Sequence, residues 1–252
     1  MQSMTVRDIL RLICRDGDMS SPRGEDVLEY EYLQCEIKHP WSLYPHRNYN
    51  LDYFRREMQW YLGADQYDHR ICQYATMWKK LVQPDGAILS NYGYYWFGPQ
   101  NGFKWVCDTL KADPASRQAY IAMNNYSHAY PGNPDFVCTK GIQFRIKYGL
   151  VNMHVAMRSS DAIYGLGTDL PCFYTLWHMV CKELDRAPGK FIFSADSVHI
   201  YERHFEMTEN IIKYDYDVDD ILAPMPTITD VNDLLEGRYE SKFGCWLMEA
   251  PL

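Results

Sequence analysis

The sequence predicts a mixed α/β fold, built as a single domain over residues 1–252. Three observations carry that prediction. Some segments repeat apolar residues at helical spacing, and others alternate them at the period of two that a strand requires. The two kinds of segment are interleaved along the chain, not gathered into separate blocks. No internal repeat, low-complexity tract or evident linker occurs before about residue 214, and 252 residues suffice for one sizeable core.

The first element is a helix. Thr5 and Asp8 have capping-box spacing, and Val6, Ile9, Leu10, Ile13 and Cys14 follow as one apolar face. Val27–Lys38 alternates as a strand whose phase slips: Leu28, Tyr30 and Tyr32 share one face, then Leu33, Cys35 and Ile37 take the other. A β-bulge produces such a slip. Helices are expected at about Leu51–Leu62 and His69–Leu81, and a turn region rich in Gly and aromatics over Gly86–Gly102. Phe103–Lys111 reads as a helix ended by Asp113-Pro114. Phe136–Tyr148 and Leu150–Arg158 alternate as two strands hinged at Gly149. A long amphipathic helix is expected from about Asp169 to Arg186, stopped by Ala187-Pro188-Gly189. Lys190–Ile200 returns as a strand, followed by a helix near Glu202–Lys213. Residues 214–252, acidic and Pro-containing, read as a surface-wrapping tail.

Acidic residues outnumber basic ones, 33 against 25, for a net charge of −8. That balance argues against direct nucleic-acid binding, which wants a basic face, but leaves room for a small anion held by a few arginines. No stretch has the ~18 consecutive apolar residues of a membrane helix. Charged residues interrupt Met1–Arg15, so no signal-peptide core is present, and a cytoplasmic protein without membrane partners is expected. The 8 cysteines are scattered with no Cys-x-x-Cys pair, so neither a metal site nor a disulfide framework is expected.

Phosphate-cradling glycine loops are missing from the sequence. Asp215-x-Asp217-x-Asp219 imitates a calcium loop, but Asp220 stands where Gly is obligatory and Pro226 where the bidentate Glu belongs; a solvated acidic face is the better reading. Several short segments have both a plain and a chemical reading. Cys138 stands at a loop–strand junction, as buried filler or as a nucleophile. Arg158 and Ser159 end a strand, as a polar turn or an anion holder. His199 and Tyr201 alternate on one strand face, as a structural pair or as ligand contacts. Asp169 precedes Leu170-Pro171, where a plain helix N-cap is the local reading. Glu57 lies in a charged helix, where an i,i+4 partner is the ordinary explanation.

Taken in order, these segments resemble the thymidylate synthase superfamily. The resemblance runs from about residue 50 to 206 through Glu57, Tyr92-Gly93, Asp113-Pro114-x-Ser116-Arg117, Cys138 with Gln143-Phe144, Arg158-Ser159-x-Asp161, Gly165 and Asp196-x-x-His199-Ile200-Tyr201. Two departures move the chain within that superfamily. The family's Cys-His pair is Cys138-Thr139 here, and Asp169 replaces the Asn that reads the uracil edge. With Ser90-Asn91-Tyr92-Gly93 and Asp135-Phe136-x-Cys138-Thr139, both changes resemble the bacteriophage deoxycytidylate hydroxymethylases.

The resemblance implies a homodimer whose large bulged β-sheet lies at the dimer interface, flanked by helices. It implies conversion of dCMP, 5,10-methylenetetrahydrofolate and water to 5-hydroxymethyl-dCMP and tetrahydrofolate, with no metal, in the host cytoplasm if phage-encoded. Alternatives are action on dUMP or CMP, thymidylate synthesis, or a silent nucleotide-binding homologue. Cys138 would add to C6 of the base, Glu57 would activate water, and Asp169 would read the cytosine edge. Arg23, Arg158, Ser159 and, from the partner subunit, Arg117 would hold the phosphate. Gln118 stands where the synthases usually have a second Arg, which would weaken that clamp. His199 and Tyr201 would hold the sugar hydroxyl, while Trp78 and Tyr92 would wall the base and folate. Gln143 and Asp161 complete the substrate-contacting motifs. The terminal Glu249-Ala250-Pro251-Leu252 is a short match to tails that close over folate.

Overall fold

Interleaved helices and strands, expected from the periodicities, are what the computed structural model contains; it describes residues 1–40, 51–213 and 225–249. In chain order the elements are β1 (Ser3–Met4), α1 (Val6–Asp16), β2 (Asp18–Ser20), β3 (Val27–Ile37), α2 (Leu51–Gly63), α3 (Tyr92–Phe97), α4 (Gly102–Ala112), β4 (Tyr120–Ala122), β5 (Thr139–Lys147), β6 (Leu150–Met157), β7 (Ser160–Asp161), α5 (Gly165–Glu183), β8 (Pro188–Tyr201), α6 (Phe205–Lys213), α7 (Val231–Leu235) and α8 (Lys242–Met248). The strands form one eight-stranded sheet in the order β1-β3-β8-β6-β5-β4, with β2 on β3 and β7 on β8. Two compact units share the chain. The first comprises Met1–Asn50, His154–Thr175 and Lys190–Met225; the second comprises Leu51–Met153, Leu176–Gly189 and Pro226–Leu252.

In the first unit α1 starts as its sequence requires. The Asp8 N–H donates to Thr5 Oγ1 at 3.2 Å and the Thr5 N–H to the Asp8 carboxylate at 2.9 Å, so two orphan donors are satisfied reciprocally. Val6, Ile9, Leu10 and Ile13 are buried, and α1 packs on β3. The expected phase slip is present, but not as a one-sided bulge. Tyr32 has a φ of 57°, while the antiparallel pairing runs Glu31 to Ser197 and then Leu33 to Ala195, without change of register. β8 slips at the same rung: Phe191, Phe193 and Ala195 are buried on one phase, Val198 and Ile200 on the other. Because both strands change phase together, neither gains a residue on its partner.

In the second unit β5 and β6 form the expected hairpin, turned by Tyr148 and Gly149 with φ of 54° and 78°. Two left-handed residues match the right-handed twist of the flanking strands. The first of these strands begins at Thr139, not Phe136. Helix α4 is capped by Asn101, whose side chain accepts the Lys104 N–H. The expected helix over 69–81 is instead two 3₁₀ turns, Arg70–Gln73 and Thr76–Lys80, parted by Ala75 in extended backbone. Only Ile71, Cys72 and Trp78 of that stretch are buried, too few to hold a continuous helical face. The expected turn region contains helix α3. The tail is more than surface wrapping, because α7 and α8 bury Val231, Leu234, Phe243 and Leu247. The acidic run at 215–219 and the last three residues lie outside the described residues.

Helix α5 begins at Gly165, before the expected start. In the turn just before it, Asp161 Oδ1 accepts the N–H groups of Ile163 at 2.8 Å and Tyr164 at 3.3 Å. Asp169 is therefore not an N-cap, and Pro171 lies inside the helix.

Candidate active site

In the second unit Cys138 is half-buried, one residue before β5. Asn124 holds the backbone on both sides of it: its Nδ2 donates to the Val137 carbonyl at 2.5 Å, and its N–H donates to the Thr139 carbonyl at 3.0 Å. The loop leading in is equally fixed. The buried Asp135 carboxylate accepts the Ser90 N–H at 2.7 Å and the Ser90 hydroxyl, and Asn133 Oδ1 accepts the Asp135 N–H at 2.8 Å. A thiol presented from an anchored loop end, not from a strand interior, is placed where a ligand can reach it.

Glu57 lies on α2 and is 3% exposed. Its i,i+4 partner is Tyr61, not a base; the Tyr61 hydroxyl donates to Glu57 Oε1 at 2.5 Å. Tyr61 stacks on Tyr92 with centroids 5.5 Å apart and meets Trp96 edge-on at 5.3 Å. Gly93 makes this possible, since a Cβ there would lie 1.7 Å from the Tyr61 carbonyl oxygen. Trp78 is buried, donates to the Tyr53 hydroxyl at 2.9 Å and contacts Trp60 edge-on at 5.0 Å. Glu57, Tyr61 and Tyr92 are thus brought together, and Trp78 joins the same aromatic group through Trp60. Arg117 stands apart on an open groove lined also by Trp105, Asp113 and Gln118, its side chain exposed. Gln143 supports that segment from β5, donating to the Ala119 carbonyl at 2.9 Å and the Arg117 carbonyl at 3.4 Å.

In the first unit β7 places Asp161 in register with His199 on β8. His199 and Tyr201 meet edge-on at 5.0 Å, and the Arg203 guanidinium lies 4.0 Å over the Tyr201 ring. Burial holds the His199 imidazole below its ordinary pKa, partly offset by Asp161 and Glu29 and reinforced by Arg23 and Arg203. Burial also raises the Tyr201 phenol, with Asp161 adding to it. Arg23 is exposed and takes left-handed backbone, φ 58°, between Pro22 and Gly24. Arg158 and Ser159 are half-buried in the link from β6 to β7, and Asp169 is half-buried on α5. Asp161, His199, Tyr201 and Arg23 thus form one electrostatic group.

Sequence reasoning missed Tyr61 and Asn124. Tyr61 was available as the i,i+4 neighbour of Glu57; nothing local marks Asn124. Among the described residues, no group of three or more His, Cys, Asp or Glu is placed to hold a metal, and no helix is long and apolar enough to cross a membrane.

The family described as thymidylate synthase matches residues 6–229. Among individual proteins, the deoxycytidylate 5-hydroxymethyltransferase of Enterobacteria phage T2 is 26% identical over 189 residues, 66% of this chain and 77% of that protein. The enzyme of the same name from Enterobacteria phage T4 is 26% identical over 175 residues, 64% and 71% of the two chains. The deoxyuridylate hydroxymethyltransferase of Bacillus phage SP01 is 25% identical over 249 residues, 91% of this chain and 65% of that protein.

Proposed function

The chain belongs to the thymidylate synthase family, and from that membership we propose that it is a homodimeric deoxycytidylate 5-hydroxymethyltransferase. The observations that carry the reading are a thiol on an anchored loop end, Cys138, and a buried, hydrogen-bonded carboxylate, Glu57, in a chain whose relatives bear hydroxymethyltransferase names.

Cys138 as thiolate adds to C6 of the pyrimidine, which makes C5 nucleophilic. When bound, 5,10-methylenetetrahydrofolate supplies a one-carbon unit at the oxidation level of formaldehyde and leaves as tetrahydrofolate. The aromatic group of Trp60, Trp78, Tyr61 and Tyr92, with its stacked and edge-on contacts, suits a heteroaromatic ring of that kind. Glu57 takes a proton from the water whose oxygen becomes the new hydroxyl. The C5 proton is lost to solvent, and departure of Cys138 restores the C5–C6 double bond. Arg158, Ser159 and Arg23, with Arg117 from the partner subunit, hold the phosphate. His199 and Tyr201 hold the sugar hydroxyl, and Asp169 reads the base.

Action on dUMP is the second reading, favoured by the match to the SP01 deoxyuridylate enzyme across 91% of this chain. Incubation with dCMP, dUMP or CMP and the folate, followed by mass analysis, decides between them. A product of dCMP carrying one added carbon and one added oxygen is expected, and none from Cys138→Ser. A methylated product would indicate synthase chemistry, and no product from any nucleotide would overturn the proposal.

A further inference from the structure

We propose that Tyr61 is a positioning residue for the water-activating base, its hydroxyl holding the Glu57 carboxylate ionised and fixed in direction. The inference rests on reading Glu57 as that base. Both side chains are buried, Tyr61 at 1% and Glu57 at 3% exposure, and their bond is 2.5 Å long. A buried carboxyl is driven towards its neutral form by desolvation; a hydrogen bond donated to the charged form opposes this. A base that deprotonates water has to be ionised at working pH.

The phenol is held as firmly as a donor of this kind has to be. Its ring is stacked on Tyr92 and edged by Trp96, and the backbone of Gly93 closes on the Tyr61 carbonyl so tightly that a Cβ does not fit. A phenylalanine would meet every one of these ring contacts. The hydroxyl is what tyrosine adds, and it is aimed at Glu57.

Arg55 pairs with Asp52 and Glu249, and Arg56 lies over Tyr74. Of the elements packed against α2, the first 3₁₀ turn brings Arg70, bound to Asp68, and Cys72, kept protonated by burial. From α7 comes Asp233, bound to Arg238; α3 brings the phenols of Tyr92, Tyr94 and Tyr95, and α8 brings Lys242 and Cys245.

The test replaces Tyr61 by Phe and, separately, by 3-fluorotyrosine, whose lower phenol pKa makes it the stronger donor. The readouts are the pH profile of kcat, the KM for dCMP, and the ¹³C titration of the Glu57 carboxyl in ligand-free protein, assigned with Glu57→Gln. Tyr61→Phe is expected to move the acidic limb and the carboxyl titration up by about one to two pH units. Below the limb kcat should fall about 10- to 100-fold, with KM within about twofold of wild type. The fluorinated protein, with its packing intact, should shift both titrations down. Wild-type titration of the Glu57 carboxyl in both variants would overturn the inference. If no pyrimidine nucleotide is turned over, the functional reading fails, while the carboxyl titration still decides whether Tyr61 governs Glu57.

Discussion

Asn124 grips the chain on both sides of Cys138, its side-chain amide on the carbonyl before the thiol and its backbone N–H on the carbonyl after it. The first bond belongs to the side chain and is removable. Asn124→Ala should cost about 1 kcal/mol of stability, because one hydrogen bond is lost and a carbonyl is left to water. Turnover should fall at least about tenfold, since nucleophilic attack depends on sub-ångström placement. Thermal unfolding and release of tritium from C5 of dCMP measure the two effects; unchanged turnover would detach Asn124 from the chemistry.

Asp169→Asn is expected to lose most activity on dCMP and gain relative preference for dUMP. Cytosine presents an N4 donor beside N3, which a carboxyl or carboxylate complements, whereas an amide complements uracil. Sites built on such pairing discriminate by up to about 10⁴–10⁵. Asp169 lies within α5, past its first turn, where the positive helix end does little to favour its charged form. The ratio of kcat/KM for the two nucleotides, in both proteins, is the measurement; an equal ratio would assign base choice to another residue.

Arg117 tests the dimer. If it serves the partner's phosphate, a mixed dimer of Arg117→Ala and Cys138→Ser protomers has one site with both residues intact and should regain about half of the wild-type activity per dimer. Its side chain is exposed within this chain, as that role requires. Mixed dimers as inactive as their parents would return Arg117 to its own subunit.

Acid should weaken the fold early. Burial lowers the pKa of His128, His178, His199 and His204 below the ordinary 6.5. Each contribution is whole above the unfolded value and is lost as pH falls through the folded one, because the unfolded chain then binds more protons. The melting temperature should therefore decline from about pH 6.5 downward, with proton uptake on unfolding measurable by calorimetry in buffers of different ionisation enthalpy. Glu29, held low chiefly by the Ser197 hydrogen bond, acts in a separate window below about pH 4.5. A melting temperature flat between about pH 7 and 5.5 would contradict the histidine account.

Local signals in the sequence are legible. The Thr5–Asp8 box started α1, Tyr148-Gly149 turned the hairpin, and the alternation of β3 revealed its slip. Signals that depend on distant partners are not. Asp169 before Leu170-Pro171 has the local pattern of a helix start, yet the helix begins at Gly165, after a turn in which Asp161 holds the Ile163 and Tyr164 amides. The 69–81 segment has helical composition but too little to bury. Of the candidate site, the residue types were legible in order along the chain. Of the residues that hold them, Tyr61 is reachable from its i,i+4 spacing to Glu57, whereas Asn124 is not, because a contact between distant segments has no spacing rule.

The matched slip of β3 and β8 constrains how this chain can change length over evolutionary time. Deleting one residue at Tyr32 alone would keep Leu33, Cys35 and Ile37 in phase with Leu28 and Tyr30 but leave β8 with an unmatched slip, making Asp196 the extra residue of a one-sided bulge. A compensating deletion near Asp196 would restore the ladder. The two strands, more than 150 positions apart in sequence, are thus coupled as a pair of insertion–deletion sites: a change in one leaves a one-sided bulge that a matching change in the other removes.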